Sequence, residues 1–345
     1  MSDFNINCPI SLQRYPVVTL AHGGGGALMR SLIRELFYTA FDNEILKQDH
    51  DGALLGAIDG SLTFTTDSFV VSPLFFPGGD IGSLAVYGTV NDLAMCGAKP
   101  VYLSSSFIIE EGLPMEDLWR ILLSMKSACE SVGVSIVTGD TKVVEKDSGD
   151  GLFINTTGIG VCMQDGLIAP GAIRPGDSII LSGDIGRHGI AVMACREGLS
   201  FKTKIESDCK PLIQAVTRIL DGGVEVRCLR DITRGGLATV LCEFADTAGV
   251  GISILEDKIP VREDVRGACE MLGLDPLYVA CEGRFVTIVS EQDASAAIDL
   301  LREEGEEAVQ IGAVHGEGTI VEMKNAIGTR RVIDMLSGEQ LPRIC

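Results

Sequence analysis

Basic residues are scarce in this chain of 345 residues: 28 Lys and Arg stand against 48 Asp and Glu, for a formal net charge of −20. No basic stripe is available to hold phosphates, which argues against nucleic acid or an anionic membrane as the main partner. A nucleotide bound to so acidic a chain has to be bridged to it by metal ions. Apolar runs of the ~20 residues that a bilayer span needs are missing, and Met1–Asn7 offers neither a basic n-region nor an apolar h-region. A cytoplasmic protein is the expectation. The eleven cysteines include no Cys-x-x-Cys pair and are spread through predicted helices and strands. Most read as buried apolar thiols rather than a disulfide framework, Cys345 being the exception because of where it lies. There is no Gly-Lys-Ser/Thr phosphate loop, no dinucleotide fingerprint, no internal repeat and no low-complexity tract.

What is present is an ordinary globular composition, 46% hydrophobic and 22% charged, at a length that suggests two domains. The first 168 residues read as one α/β unit. A helix is predicted over Ala27–Phe41, a hairpin of two short strands over Leu54–Val71 turning at Asp59-Gly60, and a helix over Ile81–Cys96. Strands follow at Val101–Ile109, Val134–Thr138 and Leu152–Val161, with a helix after Pro114 between the first two. Pro170, Gly171, Pro175 and Gly176 mark a boundary. Residues 169–336 read as a second unit, with strands at Ser178–Ser182, Gly251–Leu255, Phe285–Ser290 and three more from Ala308 to Met335. Its helices are placed at His188–Arg196, Pro211–Leu220, Leu237–Ala248, Val261–Leu272 and Ala294–Glu304.

Several stretches carry residue types suited to chemistry. Gly23-Gly24-Gly25-Gly26 after His22 lets the backbone approach a ligand, and suits a flexible hinge about as well. Asp51 and Asp67 flank the predicted hairpin, where solvent-facing carboxylates are the plain alternative. Asn91-Asp92 suits ribose, phosphate or Mg²⁺, or simply a helix surface. Gly139-Asp140-Thr141-Lys142 is predicted to follow the end of a buried strand, the usual address of a ligand in an α/β sheet. Asp231 precedes Gly235 and Gly236 at a helix N-terminus, where N–H groups favour an anion and the aspartate can hold a cation beside it. The chain ends Leu341-Pro342-Arg343-Ile344-Cys345, with Pro342 keeping the terminus extended and a thiol at the tip of a mobile tail, residues 337–345.

In this order the motifs His22-Gly-Gly-Gly-Gly, Thr66-Asp-Ser-Phe-Val-Val71, Pro77-Gly-Gly-Asp-Ile-Gly82, Asn91-Asp-Leu-Ala-Met-Cys-Gly-Ala98, Gly139-Asp-Thr-Lys142, Asp231-Ile-Thr-Arg-Gly-Gly-Leu237 and Pro342-Arg-Ile-Cys345 resemble HypE. That family comprises the hydrogenase-maturation carbamoyl dehydratases of the PurM-like (AIR synthetase-related) ATP enzymes. The resemblance spans essentially the whole chain. It implies a two-domain PurM-like α/β (α+β) fold, with an N-terminal mixed sheet forming a dimer barrel and a C-terminal α/β sandwich. It also implies ATP and Mg²⁺ as cofactors, a homodimer, HypF as carbamoyl donor to Cys345 and the HypC-HypD complex as cyanide acceptor. ATP-driven loss of water from the S-carbamoyl group would leave a protein thiocyanate, whose cyano group becomes a ligand of the iron in [NiFe]-hydrogenase. By motif, Asp51, Asp67, Asp92 and Asp231 are the implied metal carboxylates, with Asp140 as a further member; Lys142 and Glu282 match charged residues implicated in the dehydration. Glu282 could equally pair with Arg284, and Lys142 could serve only to bind phosphate. Another PurM-like activity on a free small molecule would leave Cys345 without a role, and a non-catalytic thiol carrier would leave the aspartates without one.

Overall fold

Helix α1 (Ile81–Met95) is the element on which the two halves of the chain meet. In a computed structural model, which describes residues 8–10, 15–199, 204–316, 318–336, 338, 341 and 343–345, Asp80 caps this helix. Its carboxylate accepts from the N–H groups of Gly82 at 2.7 Å and Ser83 at 3.1 Å, while the Asp80 N–H donates back to Ser83 Oγ. Leu84, Val86 and Val90 are buried in a core that also takes in Val216, Ile219 and Phe285 from the second half. Gly88 allows a close approach to the first sheet, since a Cβ there would lie 2.7 Å from the Phe69 ring. The next turn of α1 is thereby held against that sheet, and Thr65 Oγ1 donates to Asp92 Oδ2 at 2.8 Å.

The first sheet holds β1 (Leu62–Phe69), β2 (Ala98–Glu110), β3 (Ser135–Val144) and β4 (Leu152–Cys162), in the order β1-β4-β2-β3. β2 and β3 run parallel and are joined by α2 (Met115–Val132); β4 is antiparallel to both β1 and β2. Side chains alternate across it. Phe69, Leu103, Phe107, Ile109 and Ile154 face the helices and are buried. On the other face Phe64 is 69% exposed and Ile108 44%, and a single chain leaves that face uncovered. The second sheet has the order β11-β10-β7-β9-β5-β8-β6. Its strands are β5 (Ser178–Leu181), β6 (Val226–Asp231), β7 (Gly251–Leu255), β8 (Phe285–Val289), β9 (Val309–His315), β10 (Val321–Lys324) and β11 (Arg330–Ile333). Helices α3 (Arg187–Arg196), α4 (Ile213–Asp221), α5 (Gly236–Ala248), α6 (Glu263–Leu272) and α7 (Ala294–Glu303) accompany it. Among the described residues no helix is long and apolar enough to cross a membrane.

Some local expectations change. Residues 53–61 carry no strand, so the predicted hairpin is absent; β1 pairs instead with β4, Leu62 opposite Val161. A two-stranded hairpin is marginal alone, whereas β4 offers a full-length ladder backed by α1. The helix predicted over Ala27–Phe41 runs from Ala27 to Ala40 through a widened π turn at Ile33–Phe37. β3 continues to Val144, so Gly139-Asp140-Thr141-Lys142 lies within the strand rather than beyond it. The cause is β2, which offers parallel partners as far as Glu110 opposite Val144. β6 has no counterpart among the predicted strands, its apolar pattern being broken by Arg227 and Arg230. Pro342 and Met1–Asn7 lie outside the described residues.

Candidate functional site

Three aspartates arrive from three elements at the junction of the halves. Asp67 comes from the C-terminal end of β1, Asp92 from α1 and Asp231 from the end of β6. The backbone then places Glu282 beside them. Cys281 N–H donates to Ile232 O at 2.7 Å and Ile232 N–H to Arg284 O at 3.0 Å, so residues 281–284 continue the β6/β8 ladder past Asp231. Asp208 accepts from the N–H groups of Glu282 at 3.4 Å and Gly283 at 3.3 Å. Arg284 does not neutralise Glu282; it pairs with Asp184 at 2.7 Å and Glu306 at 3.4 Å. Arg234, in the turn before α5, lies 3.8 Å from Asp67 and contributes a positive charge.

The cluster is electrostatically strained in favour of protons or cations. Burial, with the charge of Asp92 beside it, pushes Asp231 up to about 7. Burial likewise raises Asp92, the Thr65 hydroxyl partly opposing the shift and Asp67 adding to it. Glu282 is driven well above the usual carboxylate range by burial and then by Asp231, Asp208 and Asp67. Its Oε1 is buried without a hydrogen-bond partner, and such an orphan in a crowd of carboxylates is a place for a proton or a ligand.

The C-terminus is seated in this cluster. Ile344 is buried, and the Cys345 thiol lies beside Glu282. Burial, then the nearby Glu282 charge, holds that thiol well above its ordinary pKa. At this position it is a neutral thiol and a poor nucleophile.

Other sequence-singled residues fall elsewhere. Asn91 is spent on structure: its amide N–H donates to Lys210 O at 3.1 Å and its Oδ1 accepts from Leu212 N–H at 2.8 Å, joining α1 to the segment entering α4. Asp140 and Lys142 form an exposed ion pair at 3.2 Å on the uncovered face of the first sheet. Asp140 is in register with Ser106, Asn155 and Ser68 across that sheet. Three strand spacings, about 14 Å, therefore separate it from the end of β1. Asp67 points to the helix-covered face instead. Thr141 and Asp140 line a cavity of about 200 Å³ together with Tyr38, Phe41, His50 and Ser105; Ser105 Oγ is buried there without a partner. Asp51 is exposed between His50 and Gly52, both on the cavity wall. Gly23 packs on β3, where a Cβ would meet Val143 N at 2.7 Å, while Gly25 turns with φ +74° and leads through Gly26 into the helix at Ala27. Within one chain there are thus two constellations, one of Asp67, Asp92, Asp231, Glu282 and Cys345, the other of the glycine loop, Asp51, Asp140, Thr141 and Lys142. The residues not singled out from sequence are Arg234, Asp208, Ser105 and His188. Of these Arg234 had a visible signal, lying inside the Asp231–Leu237 motif.

Comparison with known proteins agrees with this architecture. Residues 49–162 match the family model of the AIR synthase related protein N-terminal domain and residues 174–324 that of its C-terminal domain. The carbamoyl dehydratase HypE of Cupriavidus necator is 53% identical over 332 residues, 95% of each chain. That of Escherichia coli is 44% identical over 338 residues, 95% of this chain and 99% of its own. A crystal structure of the hydrogenase maturation protein HypE in complex with ATP superposes with a TM-score of 0.91 at 47% identity, over 95% of this chain and 99% of its own. A HypE chain from a HypE–HypF complex superposes at 0.78 with 48% identity, over 90% and 100%. A thiamine-monophosphate kinase from Stenotrophomonas maltophilia, 18% identical with a TM-score of 0.65, shares the fold alone. The chain belongs to the HypE family of hydrogenase-maturation carbamoyl dehydratases, within the AIR synthase related proteins.

Proposed function

We propose that this protein is an ATP-dependent carbamoyl dehydratase whose substrate is its own C-terminal residue: the S-carbamoyl group on Cys345 loses the elements of water to become a thiocyanate. The observation that carries the reading is the Cys345 thiol lying beside Glu282 and near Asp67, with Asp231 in turn close to Glu282. A free small molecule would not require the last residue of the chain to be there.

The docked thiol is neutral and half-buried beside Glu282, so acceptance of the carbamoyl group from a HypF-type donor belongs to a withdrawn position of the tail, and dehydration to the docked one. ATP supplies a phosphoryl group that makes the carbamoyl oxygen a leaving group, departing as phosphate. Two N–H protons must also leave. Glu282 sits where it can take one, its unpartnered Oε1 being the open acceptor. Asp67, Asp92 and Asp231 fit a Mg²⁺ ion, since a cation relieves the mutual repulsion that raises Asp92 and Asp231. Among the described residues no three His, Cys, Asp or Glu side chains are already gathered as a metal cage. An ion would therefore draw the rest of its shell from water and phosphate oxygens, as Mg²⁺ commonly does.

A homodimer completes the site. Among the described residues the first sheet leaves one face uncovered, and two copies closing those faces into a barrel would bring the two sheets edge to edge. The glycine loop, Asp51, Asp140, Thr141 and Lys142 of one copy would then adjoin the aspartates of the second. The cavity beside Thr141 is the right kind of slot for a purine. The cyano group would pass to iron on a HypC-HypD type acceptor. Eleven free cysteines fit a reducing cytoplasm. The test is ATP turnover: hydrolysis should require a carbamoylated tail, and steady hydrolysis by Cys345→Ala with no added substrate would overturn the self-substrate reading.

A further inference from the structure

The last residues are held through backbone carbonyls as well as by the buried Ile344 side chain. Arg343 O accepts from Ser72 N–H at 3.3 Å and from the guanidinium of Arg196, whose Nε also donates to Ser72 O at 2.9 Å. One residue on, Ile344 O lies 2.9 Å from Nε2 of His188, and His188 Nδ1 lies 2.8 Å from Ser207 Oγ. A carbonyl can only accept, so Nε2 carries the proton and Nδ1 is the lone pair that receives the Ser207 hydroxyl. Ser207 is itself fixed, its N–H donating to Pro77 O at 2.8 Å and its Oγ accepting from Cys209 N–H at 3.0 Å. Phe76 meets the His188 ring edge-on with centroids 5.4 Å apart. His188 is fully buried, and burial lowers its pKa, which keeps it in this neutral donor form.

The chain bends at Arg343 with φ +55°. A non-glycine residue in that region is strained and persists only where neighbours impose it. Here the neighbours are donors to its carbonyl. Beyond the bend the Ile344 side chain is buried in the core and Cys345 follows, beside Glu282.

We propose that His188 and Arg196, two turns apart on α3, are positioning residues that gauge the depth of the tail, holding the carbonyls of Ile344 and Arg343 so that the Cys345 sulfur stops beside Glu282. Both residues contact backbone carbonyls, and the Ile344 side chain buried between those contacts and Cys345 anchors the same stretch. The Arg343 side chain, paired with the Asp150 carboxylate at 2.9 and 3.0 Å on the surface, is dispensable to the gauge. This inference rests on the reading of Cys345 as the carried substrate, so its test has one arm that does not.

In the first arm, iodoacetamide modification of Cys345 in the resting protein is timed by peptide mapping. Releasing a half-buried, raised-pKa thiol should speed alkylation by about tenfold or more in His188→Ala and Arg196→Ala, and leave Arg343→Ala near wild type. His188→Gln, which keeps a donor of similar reach, should restore slow alkylation. In the second arm, protein already carbamoylated on Cys345 is given ATP, and a single turnover is followed by intact mass. His188→Ala and Arg196→Ala should slow water loss by about 100-fold, the scale of a misplacement near 1 Å, while accepting the carbamoyl group normally; His188→Gln should recover most of the rate. Part-exposed Arg196 serves if His188→Ala folds poorly. Wild-type alkylation in both alanine variants overturns the gauge. So does fast alkylation with unchanged dehydration, since depth would then not matter. If wild-type protein itself shows no water loss, the dehydratase reading fails, and the alkylation arm still decides whether these residues hold the tail.

Discussion

Replacing Asp231 by asparagine should make the metal-free protein more stable and the enzyme inactive. Asp231 has a folded pKa of about 7 against an ordinary 3.8, because it is buried beside Asp92. The sign follows from proton linkage. Between those two values the unfolded chain has lost its proton and the folded one keeps it, so stability falls as pH rises and levels off above the folded pKa. Three pKa units correspond to about 4 kcal/mol, and the stretch from pH 5 to pH 8 accounts for about 3 kcal/mol of that, as an upper figure for a group whose neighbours can relax. The asparagine side chain is nearly isosteric and never charges, so this component of the slope disappears. Thermal melts without divalent ions at pH 5, 6.5 and 8 would compare the two proteins, and melts with Mg²⁺ and ATP would be run alongside. The expected pattern is a variant that melts higher than wild type at pH 8, converges with it at pH 5, gains nothing from Mg²⁺ and ATP, and hydrolyses no ATP. A variant that melts lower than wild type at pH 8 in metal-free buffer would refute the picture of a carboxylate held in wait for a cation.

Asp92→Asn should fold and lose Mg²⁺-dependent ATP hydrolysis, and unchanged turnover would remove it from the site. Asn91→Ala should instead cost about 1–3 kcal/mol in denaturant unfolding, because it leaves Leu212 N–H and Lys210 O without partners, with little change in the rate of the folded enzyme. If two copies share each site, Lys142→Met and Glu282→Gln homodimers should both fail to dehydrate the tail, while a mixture re-equilibrated to heterodimers should regain a fraction of wild-type yield; no recovery would place both residues in one subunit's site. One extra residue after Cys345 should permit carbamoylation but block water loss, a difference readable by mass spectrometry of the tail peptide.

The distance between sequence and structure depends on what kind of fact is asked for. Runs such as Val134–Thr138 and the helical spacing after Pro114 carry their own secondary structure, because burial on one face imposes a period. Asp231 stands out because it precedes Gly235 and Gly236 at a helix start, whereas Asp67 and Asp92 read equally as surface carboxylates until their motifs are taken together. The sequence cannot show that Asp140 points away from Asp67, because that depends on β3 continuing to Val144 and on a strand order, β1-β4-β2-β3, set by long-range pairing. The predicted hairpin fails for the same reason: its turn dipeptide is locally sound, but β4 is the better partner. Asn91 is ambiguous until Lys210 and Leu212 are seen beside it. The seating of Cys345 is hidden most deeply, because His188 and Arg196 bind main-chain carbonyls and a lone apolar Ile344 does not by itself announce where it is buried.

Everything proposed for the site depends on the dehydrated group being the one carried by the terminal cysteine. The most direct measurement is intact-protein mass of the full chain after carbamoylation by a HypF-type donor, before and after addition of ATP and Mg²⁺, with fragmentation to locate the change. The prediction is loss of one water per loaded chain, localised to Cys345, absent without ATP and absent in Glu282→Gln, which should still carry the carbamoyl group. A carbamoylated Cys345 that persists unchanged while ATP is consumed, or a dehydrated group found on any other residue, would contradict it.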